Sequence, residues 1–119
     1  PLEGRVTREY QTNKESPHKG LDIEAPPGTT VRAARSGKVI YADGGIPSYG
    51  LMVIIDHDDK MSTVYAHNSE ILVAVGDQVR AGQAVAKVGR TGRATTDHLH
   101  FEIRRDALPV NPRNFLPKQ

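Results

Sequence analysis

Cysteine is missing from this chain altogether. Its absence excludes disulfides and thiolate metal ligands, so any transition-metal site must be built from histidine and carboxylates. Tryptophan is missing too, and two Phe with four Tyr leave aromatics at 5% of the residues. A base-stacking surface needs more than that, so no nucleic-acid partner is expected. No apolar run approaches the length of a membrane span. No stretch of helical length keeps a 3.6-residue period without a Gly or Pro inside it, which argues against a helical domain. There is no signal peptide, and the chain starts at Pro1 without Met, so it reads as a processed or excised domain.

What remains is a chain of 119 residues, 37% hydrophobic and 25% charged. Those values fit one domain over residues 1–119 with a real core, and neither a disordered nor a membrane class. The net charge of +2 and the pI near 9.1 suit an anionic partner, such as a bacterial wall, without selecting one. Residues 1–17 are polar and aperiodic and read as a lead-in segment with one edge strand at most. From Gly28 onward, short runs rich in Val and Ile alternate with Gly and Asp turns: TTVRAA, KVIYA, LMVIID, STVYAH, ILVAV and AVAKVG. This pattern predicts an all-β fold, a small antiparallel β-sandwich or barrel-like sheet. Val53, Ile54 and Ile55 run together as in a strand covered on both faces. Asp43 to Tyr49, with two Gly and a Pro, is expected to be a long loop that walls a substrate site.

Thr95 to Arg104, TTDHLHFEIR, carries the strongest pattern. His98, His100, Glu102 and Arg104 alternate with Leu99, Phe101 and Ile103. In a strand the two histidines share one face and the apolar residues anchor the other, a rigid support for a metal or catalytic site. Upstream, His18 and Asp22 are four apart, and Pro17, Gly20 and Pro26-Pro27 favour an extended segment with Leu21 and Ile23 inward. His67 ends STVYAH, where Thr63, Tyr65 and His67 are expected on one face. His57, in Asp56-His57-Asp58-Asp59, is expected to be solvated. Gly76 to Val85 resembles the hairpin of biotinyl and lipoyl carrier domains, but no lysine stands in its turns to be modified.

His18-x-x-x-Asp22, His67 and His98-x-His100, in that order, resemble the lysostaphin/LytM-type zinc metalloendopeptidases of bacterial cell walls. The resemblance runs from Pro17 to Pro117 and includes HKGLDIEAPPGTTVRAA, SGKVIYA, YGLMVIIDH, STVYAH, VGDQVRAGQAVAKVGRTG, HLHFEI and PVNPRNFL. It implies a groove with His18, Asp22 and His100 as zinc ligands and His67 and His98 as the catalytic pair. Two imidazoles and one carboxylate leave tetrahedral Zn²⁺ a position for water, as hydrolytic zinc sites require. The implied substrate is peptidoglycan peptide, at a cross-bridge or stem amide bond, and the implied location is extracytoplasmic: periplasm, cell wall or secreted. A monomer is expected, with a regulatory protein or flanking domain as a possible gate.

Some positions depart from the family pattern. REYQTNKESP replaces a Gly-rich segment with Phe-Gly and Arg, Thr96-Asp97 replaces Gly-Pro before HLH, and Asn68 replaces Leu after YAH. These changes bear on the groove more than on the ligands. Two other classes compete with the enzyme. One is a non-catalytic relative that activates other wall hydrolases or binds the wall. The other is a non-haem Fe(II) oxygenase with a two-His, one-carboxylate triad. That triad would leave the second histidine pair unexplained.

Overall fold

Valine- and isoleucine-rich runs of five or six residues, cut by turn-forming Gly and Asp, have the length and composition of strands. The computed structural model describes residues 2, 4–12, 18–58, 60–92, 94–106 and 108–114. Within them lie β1 (Arg5–Arg8), β2 (Leu21–Glu24), β3 (Thr30–Arg32), β4 (Gly37–Ile46), β5 (Gly50–Asp56), β6 (Met61–Ile71), β7 (Gln78–Val79), β8 (Ala84–Val88), β9 (His98–Arg105) and β10 (Leu108–Val110). A 3₁₀ turn follows at Pro112–Asn114. The expected edge strand in the lead-in is β1; residues 1, 3 and 13–17 of that segment lie outside the described residues.

All pairings are antiparallel, and the main row runs β1-β2-β9-β6-β5-β4-β7. β10 joins β9, and β8 bridges β3 and the end of β6. The long strand β6 changes partner along its length. Met61 to Ala66 pair with β9, whereas Asn68 to Ile71 pair with β8. His67 stands at the change.

One face of this sheet carries the core. Leu21 and Ile23, Leu99, Phe101 and Ile103, Tyr65, Val53, Ile55 and Val39 pack there with Val31, Ala86 and Val88 of the β3–β8 ribbon. Each large aliphatic side chain so buried contributes about 1.5–3 kcal/mol. A smaller cluster of Met52, Val64 and Ala66 lies apart from it, with Tyr41, Tyr49 and Ile54 against it. The run Val53-Ile54-Ile55 is therefore covered on both faces, with Ile54 on the smaller cluster.

Two expected elements differ. ILVAV is not a strand: Ile71 closes β6, and residues 72–74 run on outside any strand. One bond to β8 remains beyond β6, from the Leu72 amide to Val85 O at 2.9 Å, and the chain then leaves the sheet in a turn. Asp77 closes that turn, accepting from the Ala74 amide at 2.9 Å. The stretch from Asp43 to Tyr49 is not a long loop either. β4 continues to Ile46 and a turn over residues 47–49 leads into β5. A register shift between Asp43 and Ile46 absorbs Gly44 and Gly45, so the glycines serve a bulge rather than a loop.

Candidate active site

β2 and β9 pair with Asp22 opposite His100. Leu21, Ile23, Leu99 and Phe101 take the core, so the carboxylate and the imidazole are left together on the other face. His18 is brought in by a two-hydrogen-bond bridge to Gln11 (2.9 and 3.0 Å). Asp22 Oδ1 lies 3.1 Å from His18 Nε2 and 2.8 Å from His100 Nδ1. One ligand atom from each of the three falls within 4.8 Å of the others, a donor set of a size to hold one metal ion. Burial alone would raise the Asp22 carboxyl, but hydrogen bonds with His100 and His18 outweigh it and hold the group far below the usual carboxylate range.

Behind His100 stands a residue that the sequence pattern contained but sequence reasoning did not use. Glu102 is fully buried, and its Oε2 lies 2.7 Å from His100 Nε2. The same oxygen accepts from the Tyr49 hydroxyl at 2.8 Å, and Oε1 accepts from Arg104 Nε at 2.8 Å. Against the cost of burial, the His100 hydrogen bond and the His100 and Arg104 charges pull the Glu102 carboxyl down to about 2. Burial and the Glu102 carboxylate push the Tyr49 phenol up to about 12. The available signal was spacing: Glu102 shares the strand face of His100, two residues on. A carboxylate there orients an imidazole and raises its basicity toward a metal.

His67 reaches the site by breaking the strand pattern. In strict alternation it would share the face of Thr63 and Tyr65, as expected from the sequence, but Tyr65 lies in the apolar core and that face is turned away from the site. Its φ of 66° places it in the left-handed region, which turns the ring to the other face. There it lies 4.9 Å from the His98 ring and 5.9 Å from that of His100, between centroids. The segment that receives it is tight. A Cβ on Gly50 would meet Gly92 N and Thr91 C and Oγ1, each at 2.5 Å, so only glycine admits the contact.

The imidazole tautomers follow from their partners, since a carbonyl only accepts. Nδ1–H of His18 donates to Glu9 O (3.0 Å), that of His67 to Thr91 O (2.8 Å) and that of His98 to Thr96 O (3.0 Å). The Nε2 of a neutral His67 is thereby left as an acceptor, and that of His98 sits 3.6 Å from Asp22 Oδ1. Burial lowers the His67 pKa, against a raising hydrogen bond to Thr91, which favours a neutral ring. At the Thr96-Asp97 departure, Asp97 pairs with Arg90 at 2.6 Å and braces the bend that carries His98.

All five expected site residues thus meet in one place, but His57 does not behave as expected. It is buried, not solvated: Nδ1–H donates to Ser36 O at 2.7 Å, and Nε2 accepts from Thr63 Oγ1 at 2.9 Å. Thr63 is linked to Tyr65 OH at 2.8 Å, which accepts from the Ala34 amide at 2.9 Å. A polar sequence neighbourhood gave no hint that the ring folds back under the sheet. Asn68 is fully buried as well, its Nδ2 donating to the Leu51 and Tyr65 carbonyls (3.0 and 2.9 Å) beside the β6 partner change.

The five residues line an open groove of about 580 Å³ together with Arg8, Lys19, Ser48, Tyr49, Ala94 and Thr95. That volume is in the range of small-ligand sites. Ser48 and Tyr49 belong to the segment expected to form a wall.

Residues 16–112 match the family model described as Peptidase family M23. Uncharacterized lipoprotein YgeR of Escherichia coli (strain K12) is 41% identical over 119 residues, spanning 100% of this chain and 47% of that protein. Murein hydrolase activator NlpD of the same organism is 40% identical over 119 residues, again 100% of this chain and 31% of its own length. The chain thus spans less than half of these curated relatives. Among solved structures, the antimicrobial peptidase lysostaphin from Staphylococcus simulans superposes with a TM-score of 0.86 at 30% identity, over 95% of this chain and 49% of that one.

Proposed function

Because the chain belongs to peptidase family M23, we propose that it is a zinc-dependent endopeptidase cleaving peptide amide bonds of bacterial peptidoglycan. The observation that carries this reading is the convergence of His18, Asp22, His67, His98 and His100 on one groove, with His18, His67 and His98 each fixed through Nδ1–H to a backbone carbonyl. In this reading His18, Asp22 and His100 hold the metal, a donor set of the hydrolytic kind. Zinc there supplies Lewis-acid polarisation of a carbonyl and lowers the pKa of a water it coordinates.

The rest falls to the chain's own groups. Neutral His67 presents Nε2 as a proton acceptor toward the groove, held by Thr91 O. His98, held by Thr96 O, presents its Nε2 close to Asp22 and completes the pair that takes up one proton and returns one to the leaving amine. Glu102 keeps the His100 ring oriented, and Tyr49 narrows the groove wall beside it.

One observation favours a second reading. NlpD, a murein hydrolase activator by name, is 40% identical over the whole of this chain, so the domain could act by stimulating another wall hydrolase. Digestion of purified sacculi by the zinc-loaded protein, with mass analysis of released muropeptides, separates the two. The peptidase reading expects products with newly exposed peptide ends. No release by the protein alone, with stimulation of an added wall hydrolase, would favour the activator. Either reading keeps the protein at the cell wall, outside the cytoplasm.

A further inference from the structure

We infer that Arg90 and Asp97 are positioning residues for both members of the catalytic pair: their ion pair clamps one loop whose carbonyls hold His67 and His98. The inference rests on the peptidase reading for the roles of those two histidines. The segment 90–97 connects β8 to β9. At its ends Gly89 and His98 form an antiparallel bridge, with the His98 amide donating to Gly89 O at 3.2 Å. Beside that bridge the side chains of Arg90 and Asp97 join as a fork, Nε donating to Oδ1 at 3.3 Å and Nη2 to Oδ2 at 2.6 Å. One residue inside the fork on each side stand Thr91 and Thr96. Thr91 O accepts from His67 Nδ1–H at 2.8 Å, and Thr96 O accepts from His98 Nδ1–H at 3.0 Å. The two rings come from different strands, β6 and β9, with centroids 4.9 Å apart. Both take their orientation from this one loop, so the clamp that closes it bears on both.

The two ends of the loop are held differently. Thr91 is tied to the sheet by its hydroxyl, which donates to Asn68 O at 2.6 Å and accepts from the Leu51 amide at 3.1 Å. Thr95 and Thr96 on the returning side are exposed, so packing does little to fix them, and the Asp97 carboxylate on Arg90 is the anchor there. This is also where the sequence departs from the family pattern, with Thr96-Asp97 in place of Gly-Pro. A proline fixes its own φ and restricts the residue before it, which stiffens the approach to HLH through the backbone. Asp97 imposes no such restriction. A charge-assisted fork from a planar guanidinium supplies the constraint through side chains instead. Such a constraint differs from proline in one measurable way: salt weakens it.

The test compares wild type with Arg90→Met, with Arg90→Met combined with Asp97→Pro, and with the charge swap Arg90→Asp combined with Asp97→Arg. Two readouts are followed: kcat and KM on a peptidoglycan-derived peptide, and solvent exchange of the His67 and His98 ring N–H protons by NMR, with and without zinc. An exposed ion pair shifts an equilibrium by roughly 1.4- to fivefold, so Arg90→Met should lower kcat by up to about fivefold, with KM and zinc content close to wild type. Both ring N–H protons should exchange faster, together. Raising the salt to about 0.5 M should reproduce these effects in wild type. Asp97→Pro should restore kcat to Arg90→Met and remove the salt dependence, whereas the charge swap should restore kcat and keep it. Unchanged kcat and exchange in Arg90→Met would overturn the inference and leave the pair a surface contact. A change at His98 alone would also overturn it, as would a loss that neither the proline nor the charge swap repairs. If the proline variant fails to fold, the charge swap decides. Should zinc-loaded wild type cut nothing, the peptidase reading fails, while the joint exchange of the two ring protons still decides the clamp.

Discussion

His100 sits between two carboxylates, Asp22 at 2.8 Å and Glu102 at 2.7 Å. Burial works against its charge, but the hydrogen bonds to Asp22 and Glu102 outweigh it and raise its pKa to about 9. Without metal the ring is therefore an imidazolium at neutral pH, with a proton on Nδ1 where the proposed zinc would bind. Because the folded-state pKa lies above 6.5, that proton is lost only as the pH rises through about 9. Zinc uptake at pH 7 should release about one proton from this ring, and apparent affinity should rise up to about tenfold per pH unit toward pH 9. Calorimetry in buffers of different ionisation enthalpy measures the release; none at all would remove His100 from the ligand set. Substitution tests the same division of roles. His100→Ala should lose the zinc, while His67→Ala and His98→Ala should keep about one per chain and lose at least about a hundredfold in hydrolysis. Zinc loss in either of the latter two would make that residue a ligand. Glu102→Gln keeps the shape but loses the charge, and should weaken zinc binding by about ten- to a hundredfold in competition with a chelator. An unchanged affinity would reduce Glu102 to a packing residue.

At the scale of the element, β6 decides whether the site exists. The strand delivers Val64 and Ala66 to the smaller cluster, then turns at His67 and passes from β9 to β8. The left-handed backbone at His67 is held by its amide, which donates to Tyr49 O at 2.9 Å, and by the close approach of Gly50 to residues 91–92. Thr91 seals the junction, its hydroxyl donating to Asn68 O at 2.6 Å and accepting from the Leu51 amide at 3.1 Å. Gly50→Ala should therefore cost about 2 kcal/mol or more, combining a clash with positive φ, and should depress activity by displacing His67. Gly76→Ala is the control: its φ is also positive, at 97°, but nothing lies within 4 Å of the added Cβ. It should cost only the backbone strain, about 1–2 kcal/mol, and leave activity alone. Urea unfolding of both variants reads the difference, and equal costs would show that the contact at Gly50 relaxes freely.

Across the whole molecule the two faces of the sheet do different work. One buries the main cluster, beneath which His57, Thr63 and Tyr65 form a closed hydrogen-bond chain. Burial pushes the Tyr65 phenol up to about 12, so it stays a neutral member of that chain. The other face carries the groove. Thr63→Val keeps the shape but strands His57 Nε2 and the Tyr65 hydroxyl, and should destabilise by about 1–3 kcal/mol. Zinc content and the rate on folded protein should stay at wild-type values, because the chain lies on the face away from the groove. A drop in zinc binding at full folding would show that the two faces are coupled.

Much was determined by the sequence itself. The period-two pattern of Leu99, Phe101 and Ile103 against His98 and His100 specifies a strand and a face, and strand geometry leaves no other arrangement. The spacing of His18 and Asp22 shows only that the two share a face, and it is the resemblance to the family pattern that ties them to the site of His100. Other features waited for the tertiary structure, each for a physical reason. Local alternation puts His67 on the core side, and it is tertiary contacts, with Tyr49 O and Thr91 O, that hold the backbone turn that brings it out. ILVAV has strand composition, but its pairing with β8 ends at Leu72, where the turn closed by Asp77 takes the chain off the sheet. His57 looked solvated because its sequence neighbours are polar, yet burial depends on what folds over a residue. Glu102 was in plain view on the right face, but its role depends on Tyr49 and Arg104 satisfying a fully buried carboxylate. Arg90 and Asp97 meet because the bridge of Gly89 with His98 closes their loop, and such pairing is set between strands, not within one.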